Sequence, residues 1–132
     1  RIWLTFFLGT KSLVSKKILV CDDDPSILEI IKIILEENDF TVKIVNSGKG
    51  IEKKVLEYCP DLILLDIWMP GIDGKEITKL LRGKKETKDI PIIVVSALNE
   101  TEKIAKELGA DDFLAKPFGM NDLISKAKKY TN

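Results

Sequence analysis

Asp61-Leu62-Ile63-Leu64-Leu65-Asp66-Ile67-Trp68-Met69-Pro70-Gly71-Ile72-Asp73-Gly74 is the stretch whose reading decides the fold. Its first half is a short, nearly continuous apolar run bounded by turn residues, the pattern of a strand buried on both faces in a parallel sheet. The run ends on a carboxylate, Asp66, and dense turn chemistry follows in Met69-Pro70-Gly71 and Asp73-Gly74. An acid at the carboxyl end of a buried strand lies on the lip where open α/β sheets bind ligands. Taken alone, Asp66 reads equally well as a turn former.

Working outward, the same pattern recurs. Upstream, Ile18-Leu19-Val20-Cys21 is a short buried strand followed by Asp22-Asp23-Asp24, with Pro25 suited to a first helical turn. Ile27, Leu28, Ile30, Ile31, Ile34 and Leu35 recur at helical spacing through Glu37. Thr41 to Val45 alternates as a strand, and Ser47-Gly48 opens a second helix with Ile51, Val55 and Leu56 on one face. Downstream, Gly74 to Leu81 begins a third helix, and Pro91 to Val95 is a fourth strand ending at Ser96. Asn99 is expected to cap a fourth helix, with Glu102 completing a capping-box-like pair and Gly109 stopping it. Asp112-Phe113-Leu114-Ala115 is a fifth strand ending at Lys116-Pro117, and a last helix carries Leu123, Ile124 and Ala127. Strict alternation of strand and helix argues a parallel sheet with helices on both faces.

The chain of 132 residues is long enough for one domain with a real core. Lys+Arg and Asp+Glu both number 21, so a neutral chain offers no electrostatic case for nucleic acid or an anionic membrane. The two cysteines, Cys21 and Cys59, fall within or beside buried elements and form neither a disulfide framework nor a zinc pattern, which favours a cytoplasmic setting. Histidine is absent, which removes imidazole acid–base chemistry and imidazole metal ligation. Residues 1–15 do not fit the repeat; their apolar patch Ile2 to Leu8 is far below the ~20 residues of a membrane span, and no small-residue cleavage site follows it. They read as an upstream extension, with a signal peptide charged at Arg1 and an added packed element as the alternatives, and the domain proper as 16–132.

In a parallel sheet, Asp22, Asp23, Asp66, Ser96 and Lys116 all come to one edge. Three carboxylates in one crevice repel unless a cation joins them, and hard oxygen ligands near a phosphate suit Mg²⁺. Lys116 as a point charge and Ser96 as a donor suit a phosphoryl group, and a carboxylate there can form an aspartyl phosphate.

From about Lys16 to Tyr130 the sequence resembles the receiver domain of two-component response regulators. The resemblance rests on Ile-Leu-Val-Cys-Asp-Asp-Asp-Pro (18–25), the stretch 61–74, Pro-Ile-Ile-Val-Val-Ser-Ala (91–97) and Gly-Ala-Asp-Asp-Phe-Leu-Ala-Lys-Pro-Phe (109–118). It implies a doubly wound (βα)5, flavodoxin-like three-layer sandwich with strand order 2-1-3-4-5, an order carried over from the family rather than read from the pattern. By the same resemblance, Asp66 is the phospho-acceptor, and Asp22, Asp23, Asp66 and the backbone carbonyl of Trp68 hold Mg²⁺. Ser96 and Lys116 meet the phosphoryl group, Ser96 and Phe113 switch, and Lys116-Pro117 is a cis peptide. For Phe113, plain core packing is the equal alternative. The donor would be a phosphohistidine on a sensor histidine kinase or a His phosphotransfer protein, and the output a remodelled surface for an unidentified downstream protein. No nucleic acid or membrane binding is expected. The chain would not be an enzyme beyond promoting its own phosphorylation and slow dephosphorylation, the latter because Trp68 and Leu98 are large and apolar where water must approach. It would be a stand-alone receiver or a piece of a longer regulator. Two other readings stay open here: a Mg²⁺-dependent phosphatase with an Asp22-x-Asp24 nucleophile motif, and a degenerate receiver used only for binding.

Overall fold

The computed structural model describes residues 14–69, 73–97 and 99–132. The expectations for residues 1–13 and for Leu98 lie outside that range. Strands and helices alternate as β1 Lys17–Cys21, α1 Pro25–Glu36, β2 Thr41–Val45, α2 Ile51–Tyr58, β3 Leu62–Asp66, α3 Gly74–Arg82, β4 Ile92–Ser96, α4 Thr101–Leu108, β5 Asp112–Ala115 and α5 Met120–Thr131. The strands form one parallel sheet in the order β2-β1-β3-β4-β5.

The pleat splits each central strand between two cores. Ile18, Val20, Leu62, Leu64, Ile93 and Val95 face Leu28, Ile31 and Leu35 of α1 and Leu123 and Ala127 of α5. Leu19, Cys21, Ile63, Leu65 and Ile92 face Ile51 and Val55 of α2 and Ile77 and Leu81 of α3. Every residue of β3 is buried, which is why its sequence reads as an unbroken apolar run rather than an alternation. Each such side chain contributes about 2 kcal/mol of burial.

Two aspartates fix the amino edge of the sheet. The Asp61 N–H donates to the Lys17 carbonyl (2.7 Å), and its carboxylate accepts the Lys17 N–H (2.8 Å). Asp111 repeats the device on β4: its N–H donates to the Ile92 carbonyl (2.9 Å), and its carboxylate accepts the Ile92 N–H (2.8 Å). Each aspartate thereby satisfies the neighbouring strand's first amide, which otherwise lacks a ladder partner.

The helix starts show which local signals acted. Asp24 caps α1, its carboxylate accepting from the amides of Ser26 and Ile27, with Pro25 at the first position. Asp73 caps α3 in the same way. Two expected starts are corrected. Helix α2 begins at Ile51, after Gly50 at φ 71°, because the Ser47 hydroxyl accepts the Lys49 amide and closes a separate turn first. Helix α4 begins at Thr101 after Glu100, which makes no side-chain cap, so Asn99 is not the cap residue. Within helices the apolar faces are broader than the buried ones. Ile30, Ile33 and Leu80 are exposed, whereas Leu28, Ile31, Leu35 and Leu81 are buried. Cys59, expected within or beside a buried element, stands at the C-cap of α2 with φ 53° and is exposed. Gly74 opens α3 under a steric limit: a Cβ there would lie 2.8 Å from Cγ2 of Ile67.

Candidate functional site

Register decides what meets at the carboxyl edge. Cys21 pairs with Leu65, so the next residues, Asp22 and Asp66, leave adjacent strands at the same level. Asp66 pairs with Val95 and Ser96 with Ala115, which brings Ser96 and Lys116 to that level too. The Lys116 N–H donates to the Ser96 carbonyl at 2.8 Å.

The side chains converge as the strand ends do. The Lys116 ammonium lies 2.7 Å from Asp22 Oδ2 and 3.1 Å from Asp66 Oδ2. Asp22 and Asp66 are only 2 % and 4 % exposed, whereas Asp23 is exposed. Carboxylate oxygens of Asp22, Asp23 and Asp66 all lie within 4.8 Å of one another. Backbone amides orient the two buried acids: the Asp24 N–H donates to Asp22 Oδ1 (2.9 Å) and the Trp68 N–H to Asp66 Oδ1 (2.8 Å). The Trp68 side chain itself stands mostly in solvent, 70 % exposed. Ser96 is fully buried at the end of β4. The Lys116–Pro117 peptide is cis.

The electrostatics follow from burial. Burial pushes the Asp66 carboxyl above its ordinary range; the Trp68 amide and Lys116 pull it down, and the Asp22 charge pushes it up again, leaving it raised. Burial opposes the charge of Lys116, but the Asp22 and Asp66 carboxylates outweigh it and hold the ammonium more firmly protonated than usual. Burial, reinforced by Asp22 and Asp66, pushes the neighbouring Cys21 thiol up to about 12, so it stays protonated at neutral pH and is no nucleophile.

Asp24 does not join the pocket through its side chain, because its carboxylate is engaged as the α1 cap. An Asp22-x-Asp24 phosphatase arrangement therefore lacks its second inward carboxylate. Phe113 is half-buried, with the Lys126 ammonium 4.9 Å from its ring centroid. Lys126 in turn pairs with Asp112 (2.8 Å), whose carboxylate also accepts from the Phe113 amide (2.8 Å) and the Tyr130 hydroxyl (2.9 Å). Sequence reading missed this group and also Thr101, whose hydroxyl approaches the Ser96 carbonyl. Nothing in the local pattern distinguishes these residues from ordinary surface or helix positions.

The Asp112 group makes a pH-dependent prediction. Burial alone would raise its carboxyl, but Lys126, the Phe113 amide and the Tyr130 hydroxyl together hold it below its ordinary value. A depressed folded-state value means stability that is present above pH 3.8 and is lost as pH falls through the lower, folded value. Asp112→Asn should cost about 1 kcal/mol at neutral pH, since the pair is partly solvated. In urea unfolding, the gap to the parent protein should close at acid pH; a gap independent of pH would reject the account.

A doubly wound parallel sheet with buried acids and an ammonium at its carboxyl edge defines a class: flavodoxin-like α/β domains with an acidic pocket at the ends of the strands. Within that class, the chain belongs to the response regulator receiver domain family, whose model matches residues 18–128, and is thus a signalling domain of two-component systems. It is 34% identical over 115 residues to the DNA-binding response regulator MtrA of Mycolicibacterium smegmatis, covering 86% of this chain and 49% of that one. The chain thus spans about half the length of the curated relatives it matches. Among solved structures, a putative response regulator from Chloroflexus aurantiacus superposes with TM-score 0.83 at 29% identity, covering 89% of this chain and 98% of that one. The receiver domain of the sensor histidine kinase PA1611 of Pseudomonas aeruginosa, solved with a magnesium ion coordinated in its active site cleft, superposes with TM-score 0.80 at 26% identity, covering 89% of this chain and 98% of that one. Among the described residues, no helix is long and apolar enough to cross a membrane.

Proposed function

We propose that residues 16–132 form a functional unit in which Asp66 accepts a phosphoryl group from a phosphohistidine on a partner kinase or phosphotransfer protein. The setting would be the cytoplasm. The observation that carries this reading is the Lys116 ammonium bridging two buried carboxylates, Asp22 and Asp66, at the carboxyl edge of the sheet. A carboxylate oxygen of Asp66 attacks phosphorus, the P–N bond to imidazole breaks, and the imidazole leaves and takes up a proton. The product is an acyl phosphate. The Trp68 amide orients the attacking carboxylate. Lys116 would move from Asp66 onto a phosphoryl oxygen, and Ser96 would donate its hydroxyl to another.

The acids fit a divalent cation. Asp22, Asp23 and Asp66 offer hard oxygens within 4.8 Å of one another, and the Trp68 carbonyl would be a further ligand. Bound there, Mg²⁺ would neutralise charge on the transferred phosphoryl group. Ser96 and Phe113 would respond to the phosphoryl group and alter the surface made by α4, β5 and α5, the signal read by the downstream partner. Incubation with acetyl phosphate and Mg²⁺, followed by peptide mapping of the acyl phosphate, tests the reading. Modification at Asp22 instead of Asp66 would overturn it.

The lifetime of the phosphate follows from what surrounds it. The Trp68 side chain offers no acceptor oxygen to hold a water beside Asp66, although its exposed indole does not by itself seal the pocket. Slow self-dephosphorylation would follow from a side chain at position 68 that cannot hold a water for attack. Trp68→Asn should speed the loss of label on the order of tenfold, because positioning carries much of this chemistry. Equal decay rates in the variant and the parent would count against this.

A further inference from the structure

We propose that Thr101 is the positioning residue that couples the carboxylate pocket to helix α4, an inference that rests on the phospho-acceptor reading of Asp66. Thr101 is the first residue of α4 and is 2 % exposed. Its hydroxyl donates to the Ser96 carbonyl at 3.4 Å. The same carbonyl accepts the Lys116 N–H at 2.8 Å, and the Lys116 ammonium holds Asp22 and Asp66. One oxygen at the end of β4 therefore joins the start of α4 to the backbone of the residue whose side chain clasps both buried acids.

The local design of α4 makes this contact consequential. A threonine at a helix start ordinarily caps the helix itself, accepting from free amides of the first turn. Here it sits one position inside, and its hydroxyl points back to the strand. The preceding residue, Glu100, makes no side-chain cap. The start of α4 thus touches the end of β4 through this hydroxyl. At 3.4 Å the contact is longer than an ordinary hydroxyl–carbonyl bond, so it steers the helix start without clamping it. A displacement of Ser96 or of the Lys116 backbone when a phosphoryl group enters the pocket would reach α4 through this hydroxyl.

The test uses the full chain and three proteins: the parent, Thr101→Val, which keeps the shape without the hydroxyl, and Thr101→Ser, which keeps the hydroxyl without the methyl. Each is labelled with acetyl phosphate and Mg²⁺, and hydrogen exchange of residues 101–108 is compared before and after labelling. The valine variant is expected to take up label normally yet lose roughly fivefold of the phosphorylation-dependent change in α4 exchange. The serine variant is expected to restore it. A valine variant whose α4 responds as the parent's does overturns the coupling, as does a serine variant that fails like the valine. A parent that takes label but shows no α4 response overturns it as well. A parent that takes no label at all instead rejects the phospho-acceptor reading, and the coupling with it.

Discussion

Asp66→Asn is expected to reduce labelling by acetyl phosphate to background, a loss of at least about a hundredfold. The amide keeps the shape of the side chain, and its oxygen still accepts the Trp68 N–H that orients the position. What disappears is the nucleophile: a neutral amide oxygen does not form an acyl phosphate at a useful rate. Asp66→Glu should fare little better. One added methylene moves the carboxylate off the position set by Trp68 and Lys116, and a displacement near 1 Å can cost about a hundredfold. Asp22→Asn, by contrast, leaves the acceptor in place and should only slow the reaction. The comparison needs folded variants, which thermal unfolding verifies. Full labelling of Asp66→Asn would show that the phosphoryl group goes elsewhere.

Lys116→Met should produce the largest change in stability. Asp22 and Asp66 are almost wholly buried, and the ammonium 2.7 and 3.1 Å away is what offsets their mutual repulsion. Removing one partner of a buried ion cluster leaves uncompensated charge, and with part of Lys116 still reached by solvent the cost is about 2–4 kcal/mol. For a domain of this size that lowers the melting temperature by roughly 10 °C. The direction of rescue is diagnostic. Once the ammonium no longer competes for the Oδ2 atoms of both acids, Mg²⁺ should stabilise the variant more than it stabilises the parent protein. At ten times its dissociation constant the gain is about 1.4 kcal/mol. Melting curves with Mg²⁺ and with chelator measure both effects. An unchanged melting temperature in the variant would show that Lys116 does not neutralise the acids. A Mg²⁺ effect no larger than the parent's would show that the ion, if it binds, does not use those oxygens.

Much of the architecture was legible because local chemistry and tertiary placement agree. Ile18 to Cys21, Leu62 to Leu65 and Ile92 to Val95 are apolar on both faces, which only a sheet covered on both sides can accommodate. Each run stops at a polar residue, so parallel pairing brings Asp22, Asp66 and Ser96 to one edge whatever the details of the helices. Helix starts were less legible. Asp24 and Asp73 do cap, but Asn99 and Ser47 do not begin helices, because a short polar side chain serves a turn as readily as a helix.

The amino-acid sequence by itself determined the alternating parallel architecture, the set of acids at the carboxyl edge and the lysine that opposes them, since these depend on residue types and their order along short buried runs. Tertiary structure alone decided which members of that set engage one another. Of three consecutive aspartates, Asp22 turns inward to Lys116, Asp23 stays exposed with an oxygen in reach of the pocket, and Asp24 turns to cap α1. It also decided that Asp61 and Asp111 close the amino edge, that Lys126 lies over Phe113, and that the Thr101 hydroxyl meets the Ser96 carbonyl. The physical reason is that a buried run announces itself through hydrophobicity summed over several residues, whereas the direction of one polar side chain depends on donors and acceptors that strand register and loop paths bring from distant parts of the chain.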